Sequence, residues 1–277
     1  MLSSISKLPF AQHATTWDSF WRDSKTPWDR GAPSLALHDL LSQRPDLVPP
    51  SQGHDHRGHP LRDATGAVEK KKALVPGCGR GHDVLLLSSW GYDVWGLDSS
   101  ATAKEEAIEN QKRADEGGLY KPVNGLEKGA IHWVTGDFFG QEWTEGLGVG
   151  PDPKFDLIFD YTFLCALPRE ARPQWSKRIT DLLAHDGRLV CLEFPTSKPM
   201  SADGPPWGVS PELYEALLAA PGEDIVYHAD GTVDETPSPK PRSDGLHRLS
   251  LIKPHRTHRD GTADNGAVLD FISVWSR

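Results

Sequence analysis

Three glycines, Gly77, Gly79 and Gly81, fall within five positions of the stretch ALVPGCGRGHDVLLL at 73–87. Apolar runs flank them on both sides, and the pattern predicts a strand that turns tightly into a helix. Glycine accepts positive φ and lets a ligand approach the backbone closely. In an α/β sheet such a turn lies outside the carboxyl ends of the strands, where ligands bind. Asp98 follows Gly77 by 21 residues and closes the next apolar run. A carboxylate there can accept hydrogen bonds from two ribose hydroxyls. Up to this point NAD and S-adenosylmethionine fit equally well, and a structural turn without ligand is the plain alternative.

Two further features separate the cofactors. Asp137 in VTGDFFG follows the third apolar run, and Phe138 and Phe139 come straight after it. A carboxylate beside an apolar ring suits adenine, taking the exocyclic amine while the ring stacks on the base. The chain of 277 residues also leaves little space for the second catalytic domain that nicotinamide dehydrogenases of this kind usually carry. No Lys-Ser/Thr pair of a P-loop follows the glycines, which disfavours a nucleoside triphosphate. No Ser-His-Asp or Cys-His arrangement stands out. The histidine tract HDHRGH (His54, His56, His59) lacks the helical spacing of a metal site and reads as a solvated loop, so no metal is expected. Cys78 reads as a small buried residue, and KPHRTHRDG (253–261) as the polar tip of a hairpin.

The elements that must position these residues alternate along the chain. Apolar runs at 73–76, 92–97, 131–135, 155–160 and 188–194 read as buried strands, with helical stretches at 83–90, 101–116 and 169–184. Such alternation implies βαβ crossovers and a parallel sheet covered on both faces. Ser99 and Ser100 offer an N-cap for the helix at 101, and Asp186-Gly187 a C-cap after the helix at 169. Runs at 246–253 and 268–275 have no crossover helix between them and are expected to pair as an antiparallel hairpin at the sheet edge. Segments 45–72 and 230–245, rich in Pro, Gly and charge, read as mobile surface loops.

Bulk composition sets the remaining bounds. The net charge of −9 argues against nucleic acid as the main partner. No apolar run approaches the roughly 20 residues that span a bilayer, so no membrane partner is expected. Three cysteines, an odd number, fit free thiols in a reducing compartment, with the cytoplasm as the default location. The length favours one domain, 1–277, and a monomer is the default.

Four blocks in order carry a resemblance: WDSFWRDSKTPWDRGAPSLAL, ALVPGCGRGHDVLLL, GYDVWGLDSS and FDLIFDYTFLCALPREARPQW. Together they resemble the thiopurine S-methyltransferase-like superfamily, and within it the plant and fungal thiol and halide methyltransferases. The matching segments span most of 17–37 and 73–207, with a looser match through the terminal hairpin. The resemblance implies an α/β, class I Rossmann-like methyltransferase. Its sheet would be mostly parallel and seven-stranded, with helices on both faces and a C-terminal antiparallel hairpin. S-adenosylmethionine would be the cofactor and a small thiol, halide or bisulfide the acceptor. Residues 1–44 would form an aromatic lid, with Trp17, Trp21 and Trp28 folded over the cofactor. On spacing alone, Trp17 and Trp21 at i, i+4 read as a core pair. Gly77 and Gly79 would lie by the methionine moiety, Asp98 would hold the ribose, and Asp137 and Phe138 would flank the adenine. Tyr161 would sit near the methionine or the reacting methyl, as the candidate catalytic group. Trp28, Tyr161 and Trp207 of the GPPW loop would face the acceptor. The insertions at 45–72 and 230–267 depart from the shorter members of the family and bear on the acceptor. A catalytically silent cofactor-binding protein and an NAD(P)-dependent oxidoreductase are the competing readings.

Overall fold

The computed structural model describes residues 2–123, 125–145, 152–234 and 242–277. The five apolar runs form β1 (Lys72–Pro76), β2 (Asp93–Asp98), β3 (Ile131–Thr135), β4 (Phe155–Tyr161) and β5 (Leu183–Glu193). The terminal pair forms β6 (His247–Ile252) and β7 (Phe271–Ser276). All seven join one sheet in the order β3-β2-β1-β4-β5-β7-β6. Pairing is parallel from β3 through β5, while β7 runs antiparallel to both β5 and β6. This is the expected architecture. The strand order reverses between β1 and β4, so the ligand crevice lies at the carboxyl ends of those two strands. The glycine turn leaves β1 there, and Thr162 and Phe163 leave β4 beside it.

Helices α1 (His13–Arg22) and α2 (Leu35–Gln43) precede the sheet. Helices α3 (His82–Ser89) and α4 (Ala101–Glu116) pack on β1, β2 and β3. Helices α5 (Arg172–Leu182) and α6 (Pro211–Ala219) pack on each other and on β5 and β6. Successive β4 residues Leu157, Ile158 and Phe159 are all buried. Because neighbouring strand residues point to opposite faces, both faces of the central sheet are covered. The Ser100 hydroxyl caps α4 by accepting from the Ala103 N–H at 3.1 Å, as its position before an apolar-periodic stretch suggests.

Two expectations need correction. The helix expected over 169–184 is a short 3₁₀ turn (Arg169–Ala171) followed by α5, which stops at Leu182. Asp186-Gly187 is not its C-cap, because β5 has already begun at Leu183. The pairing of β4 with β5 shifts register between Phe155 and Leu157, and residues 184–187 form the resulting bulge. Gly187 fits that bulge because a Cβ would come within 2.9 Å of the Phe155 carbonyl.

The 45–72 segment is anchored at its base. Leu47 and Val48 are buried, Arg188 donates to the Leu47 carbonyl at 3.0 Å, and the Ser51 hydroxyl donates to the Trp90 carbonyl at 2.6 Å. Antiparallel bridges join Gln52 to Lys70, His54 to Pro60 and Arg62 to Val68. His54, His56 and His59 are exposed. Within 230–245, residues 235–241 lie outside the described part of the chain. Among the described residues no helix is long and apolar enough to cross a membrane.

Gly81 caps α3 at φ +72°, and a Cβ there would come within 2.1 Å of the Trp133 ring. We predict that Gly81→Ala destabilises the fold by at least about 1–2 kcal/mol, through the left-handed backbone and the displaced ring. Thermal or urea unfolding checks this, and an unchanged midpoint contradicts it.

Candidate active site

The glycine turn is a socket for aromatic rings. Gly77, Gly79 and Gly81 all adopt positive φ, at 61°, 51° and 72°. A Cβ on Gly77 would come 2.5 Å from the Phe163 ring, and one on Gly79 3.2 Å from the Trp21 ring. The turn's own donors are largely engaged. The Cys78 N–H donates to the Leu97 carbonyl at 3.0 Å, the Gly79 N–H to Asp98 Oδ2 at 3.0 Å, and the Gly81 N–H to the Cys78 carbonyl at 2.8 Å. A pyrophosphate cradle needs such N–H groups pointing at the ligand. This turn has turned three of them inward.

Over the turn lies the N-terminal segment. Trp17 and Trp21 leave α1 on one face and meet Trp28 edge-on, with ring centroids 4.7 and 5.9 Å away. What fastens this layer is Asp29, directly after Trp28. Its carboxylate accepts from the Arg80 guanidinium, from His82 Nε2 at 3.2 Å and from the Gly31 N–H at 3.0 Å. Burial opposes the charge on Asp29, but the hydrogen bonds from His82, Gly31 and Arg80 win and hold the carboxyl well below its ordinary range. The Arg80 guanidinium also lies 5.4 Å over the Trp21 ring and reaches Glu106 at 3.2 Å. A second tie joins α1 to α4, where the Ser100 hydroxyl donates to Asp18 at 2.7 Å. From the other side, the hairpin connection contributes Asp260, which pairs with Arg30, and Arg256, which forks onto Asp39 of α2 at 2.6 and 2.8 Å.

These elements line a half-open cavity of about 380 Å³, within the range of small-ligand sites. Trp17, Trp21, Trp28, Gly77, Gly79, Asp98, Asp137 and Phe138 all line it. Asp98 is buried, accepting from Gly79 N–H on one oxygen and from Ser100 N–H, at 2.9 Å, on the other. Burial raises its pKa, and the backbone donors from Ser100 and Gly79 oppose that. Each oxygen keeps acceptor capacity for a further donor. Asp137 is exposed at the rim and accepts from the Phe139 N–H at 3.0 Å, while Phe138 is buried beside it.

Two residues named from the resemblance stand off the cavity wall. Trp207 lies behind it, stacked on His13 with centroids 6.3 Å apart; His13, Pro205 and Pro206 line the wall in its stead. Tyr161 lines a smaller neighbouring pocket of about 60 Å³, together with Arg30, Thr162 and His258. Its ring stacks on His258 at 5.7 Å. The connection at 253–261 is therefore more than a polar tip, since it brings both His258 and Asp260 to the site.

Residues given no role from sequence complete the wall: Arg30, Phe163, Cys165 and Phe194. Arg30, Phe163 and Cys165 sit inside quoted motif blocks, the one signal that points to them. Thr162, between Tyr161 and Phe163, holds φ 59°, a conformation a β-branched residue adopts at a cost of about 1–3 kcal/mol. Its hydroxyl donates to the Tyr161 carbonyl at 2.6 Å. Among the described residues no group of three or more His, Cys, Asp or Glu is placed to hold a metal ion.

Residues 58–250 match the family model described as Thiopurine S-methyltransferase (TPMT). The chain belongs to this family. Its relatives include "Probable thiol methyltransferase 2" of Arabidopsis thaliana, 32% identical over 87% of this chain and 85% of that protein. "Thiocyanate methyltransferase 1" of Brassica oleracea is 33% identical over 83% of this chain and 80% of its own length. Among solved structures, magnesium protoporphyrin IX methyltransferase from Synechocystis PCC 6803 with bound SAM matches with TM-score 0.50 and 16% identity, over 96% of this chain and 97% of that one. That likeness concerns the fold. The protein is thus a thiopurine S-methyltransferase-family methyltransferase, of the class that uses S-adenosylmethionine.

The residues present fit that cofactor. The cavity wall offers a buried carboxylate with acceptor capacity at Asp98, a rim carboxylate at Asp137 and aromatic faces from three tryptophans. Aromatic faces attract a sulfonium by about 0.5–2 kcal/mol each. Loss of the Asp98 carboxylate in Asp98→Ala is predicted to weaken S-adenosylhomocysteine binding by about ten- to hundredfold, or about 1.5–3 kcal/mol. Calorimetry on the folded variant checks this, and unchanged affinity refutes the ribose role.

Proposed function

We propose that the protein transfers a methyl group to a small soft nucleophile, most directly a thiol or a small inorganic anion such as thiocyanate or halide, by in-line displacement. The observation that carries this reading is the half-open, aromatic-walled cavity joined to a glycine turn whose N–H groups are engaged internally. The names of the plant relatives support the acceptor class.

When bound, S-adenosylmethionine supplies a methyl group already activated on a sulfonium. The chain's own task is to align the two partners and exclude water. Asp98 takes the ribose hydroxyls, Asp137 and Phe138 take the adenine, and Trp17, Trp21 and Trp28 close over the sulfonium. Gly77 and Gly79 leave room for the methionine portion. Thr162 and Phe163 form the floor at the end of β4, and Pro205 and Pro206 close the acceptor side.

A halide or thiocyanate arrives already nucleophilic, and a thiol reacts as the thiolate that has given its proton to solvent, so no strong base is required. The groups near the cavity agree with this. Burial pushes the Cys165 thiol up to about 12, and it stays protonated. Burial also raises the Tyr161 hydroxyl above its ordinary value, opposed by the Arg30 charge and reinforced by Asp270. Tyr161 therefore stands as a hydrogen-bond donor that positions an anion, in preference to a base that removes a proton.

The test is a product screen with methyl-labelled S-adenosylmethionine across thiols, bisulfide, thiocyanate and halides, read by mass spectrometry. We expect labelled methyl thioether, thiocyanate or halide products from at least one of them. Tight cofactor binding with no methylated product from the whole panel contradicts methyl transfer to this acceptor class.

A further inference from the structure

The turn that carries Asp137 takes its support from elsewhere in the chain. Between β3 and β4 the described residues form a single regular element, the short 3₁₀ turn Glu142–Thr144. Within the Asp137 turn the Gly140 N–H donates to the Asp137 carbonyl at 3.0 Å, and the Phe139 N–H to Asp137 Oδ1. At one end the Gly136 N–H donates to the Asp98 carbonyl at 2.9 Å, which ties the turn to the end of β2. The other tie comes from α5. Arg178 donates through Nε to the Phe138 carbonyl at 3.1 Å and through Nη2 to the Gly140 carbonyl at 2.7 Å. Its guanidinium also lies 5.8 Å over the Trp143 ring. Trp143 in turn packs on Gly136 so closely that a Cβ there would come 2.5 Å from its own Cβ. One side chain thus grips the turn at three points.

The chemistry of this grip is specific to arginine. A guanidinium is planar and presents its donors in a fixed fork, so it can collect two carbonyls of one turn, whereas an ammonium acts as a point charge. Arg178 is half-buried. Burial works against its charge, and the charges of Asp181, Asp137 and Asp152 favour it. Asp181, on the same helix, pairs with Lys177, so the charge-assisted hydrogen bonds of Arg178 go to the turn. Bonds of that kind are the strong ones. Asp137 is exposed at the cavity rim, and the Phe139 N–H on one oxygen binds its carboxylate to the backbone of the turn. Whatever orients that backbone therefore orients the carboxylate. Arg178 itself stands behind the cavity wall, which is built at this point by Gly136, Asp137, Phe138 and Phe139.

Resting on the reading that Asp137 takes the exocyclic amine of the cofactor's adenine, we propose that Arg178 is the positioning residue for base selection. By forking onto the Phe138 and Gly140 carbonyls it holds the turn so that the Asp137 carboxylate meets a 6-amino purine. Its action is indirect and passes through the backbone of residues 137–140.

Calorimetry with two ligands tests this: S-adenosylhomocysteine, and its analogue in which hydrogen replaces the 6-amino group of the base. The ratio of their affinities on one protein reads the amine contact and cancels any general loss of folded material. The native protein is expected to favour S-adenosylhomocysteine by about tenfold or more, and Asp137→Ala to bind the two alike. Arg178→Met is expected to bring the ratio down to about threefold or less, through loss of S-adenosylhomocysteine affinity alone. Arg178→Lys keeps the charge but lacks the fork, and is expected to recover only part of the native ratio. The proposal is overturned if Arg178→Met keeps the native ratio, or if both ligands weaken in parallel in that variant. It is equally overturned if Arg178→Lys behaves as the native protein does, since charge without the fork would then suffice. A native protein that binds the two ligands equally would overturn the Asp137 reading, and the proposal with it.

Discussion

Everything at the site hangs on how one carboxylate, Asp29, joins two parts of the chain that are remote in sequence. It receives Arg80 and His82 from the far side of the glycine turn and the Gly31 N–H from its own loop. It adds to the tie that α1 makes with α4 through Asp18 and Ser100, and it sets Trp28 beside the turn. With it, Trp21 is pressed against Gly79 and its ring comes under the Arg80 guanidinium. A charged clasp of this kind, partly buried and hydrogen-bonded on both oxygens, is the sort of pairing that fixes geometry as well as adding energy. It turns an N-terminal segment into a wall.

The glycine turn looks different once its contacts are known. Glycine-rich turns after a first strand invite a phosphate reading because their N–H groups can point outward. Here three of them point inward, to Leu97, Asp98 and Cys78. The missing side chains make room for Phe163, Trp21 and Trp133. Rings from the lid, from the end of β4 and from β3 converge on one turn, and the cavity opens beside the first two, Trp21 and Phe163. A phosphate-free cofactor with a cationic centre suits such walls.

Much of this was legible from residues alone. The helix at 101–116 and the strand at 131–135 are found where periodicity and the Ser100 cap put them, because local pattern and tertiary burial agree there. The turn, Asp98, Asp137, Phe138 and the three tryptophans all reach one cavity. The rest depends on long-range contacts that no local pattern encodes. Arg30 gains its meaning from Asp260 and Phe194, and Tyr161 from His258. The end of α5 was misread for a similar reason: Asp-Gly is a fair helix stop, but it belongs to a bulge that only the pairing of β5 with β4 creates. Composition likewise gave no hint of the bridges that tie Gln52 to Lys70 and Arg62 to Val68.

The central claim is that the lid and the glycine turn close on the cofactor as one unit because Asp29 couples them. Amide hydrogen exchange, followed in residues 13–31 and 77–81 with and without S-adenosylhomocysteine, measures that coupling directly. The account predicts that the ligand slows exchange in both segments of the native protein. In Asp29→Ala it predicts slowing at the turn alone, with β4 and α5 serving as the internal check that the fold is intact. Ligand-induced protection of the turn without any change in 13–31 of the native protein, or identical behaviour of the two proteins, would contradict it.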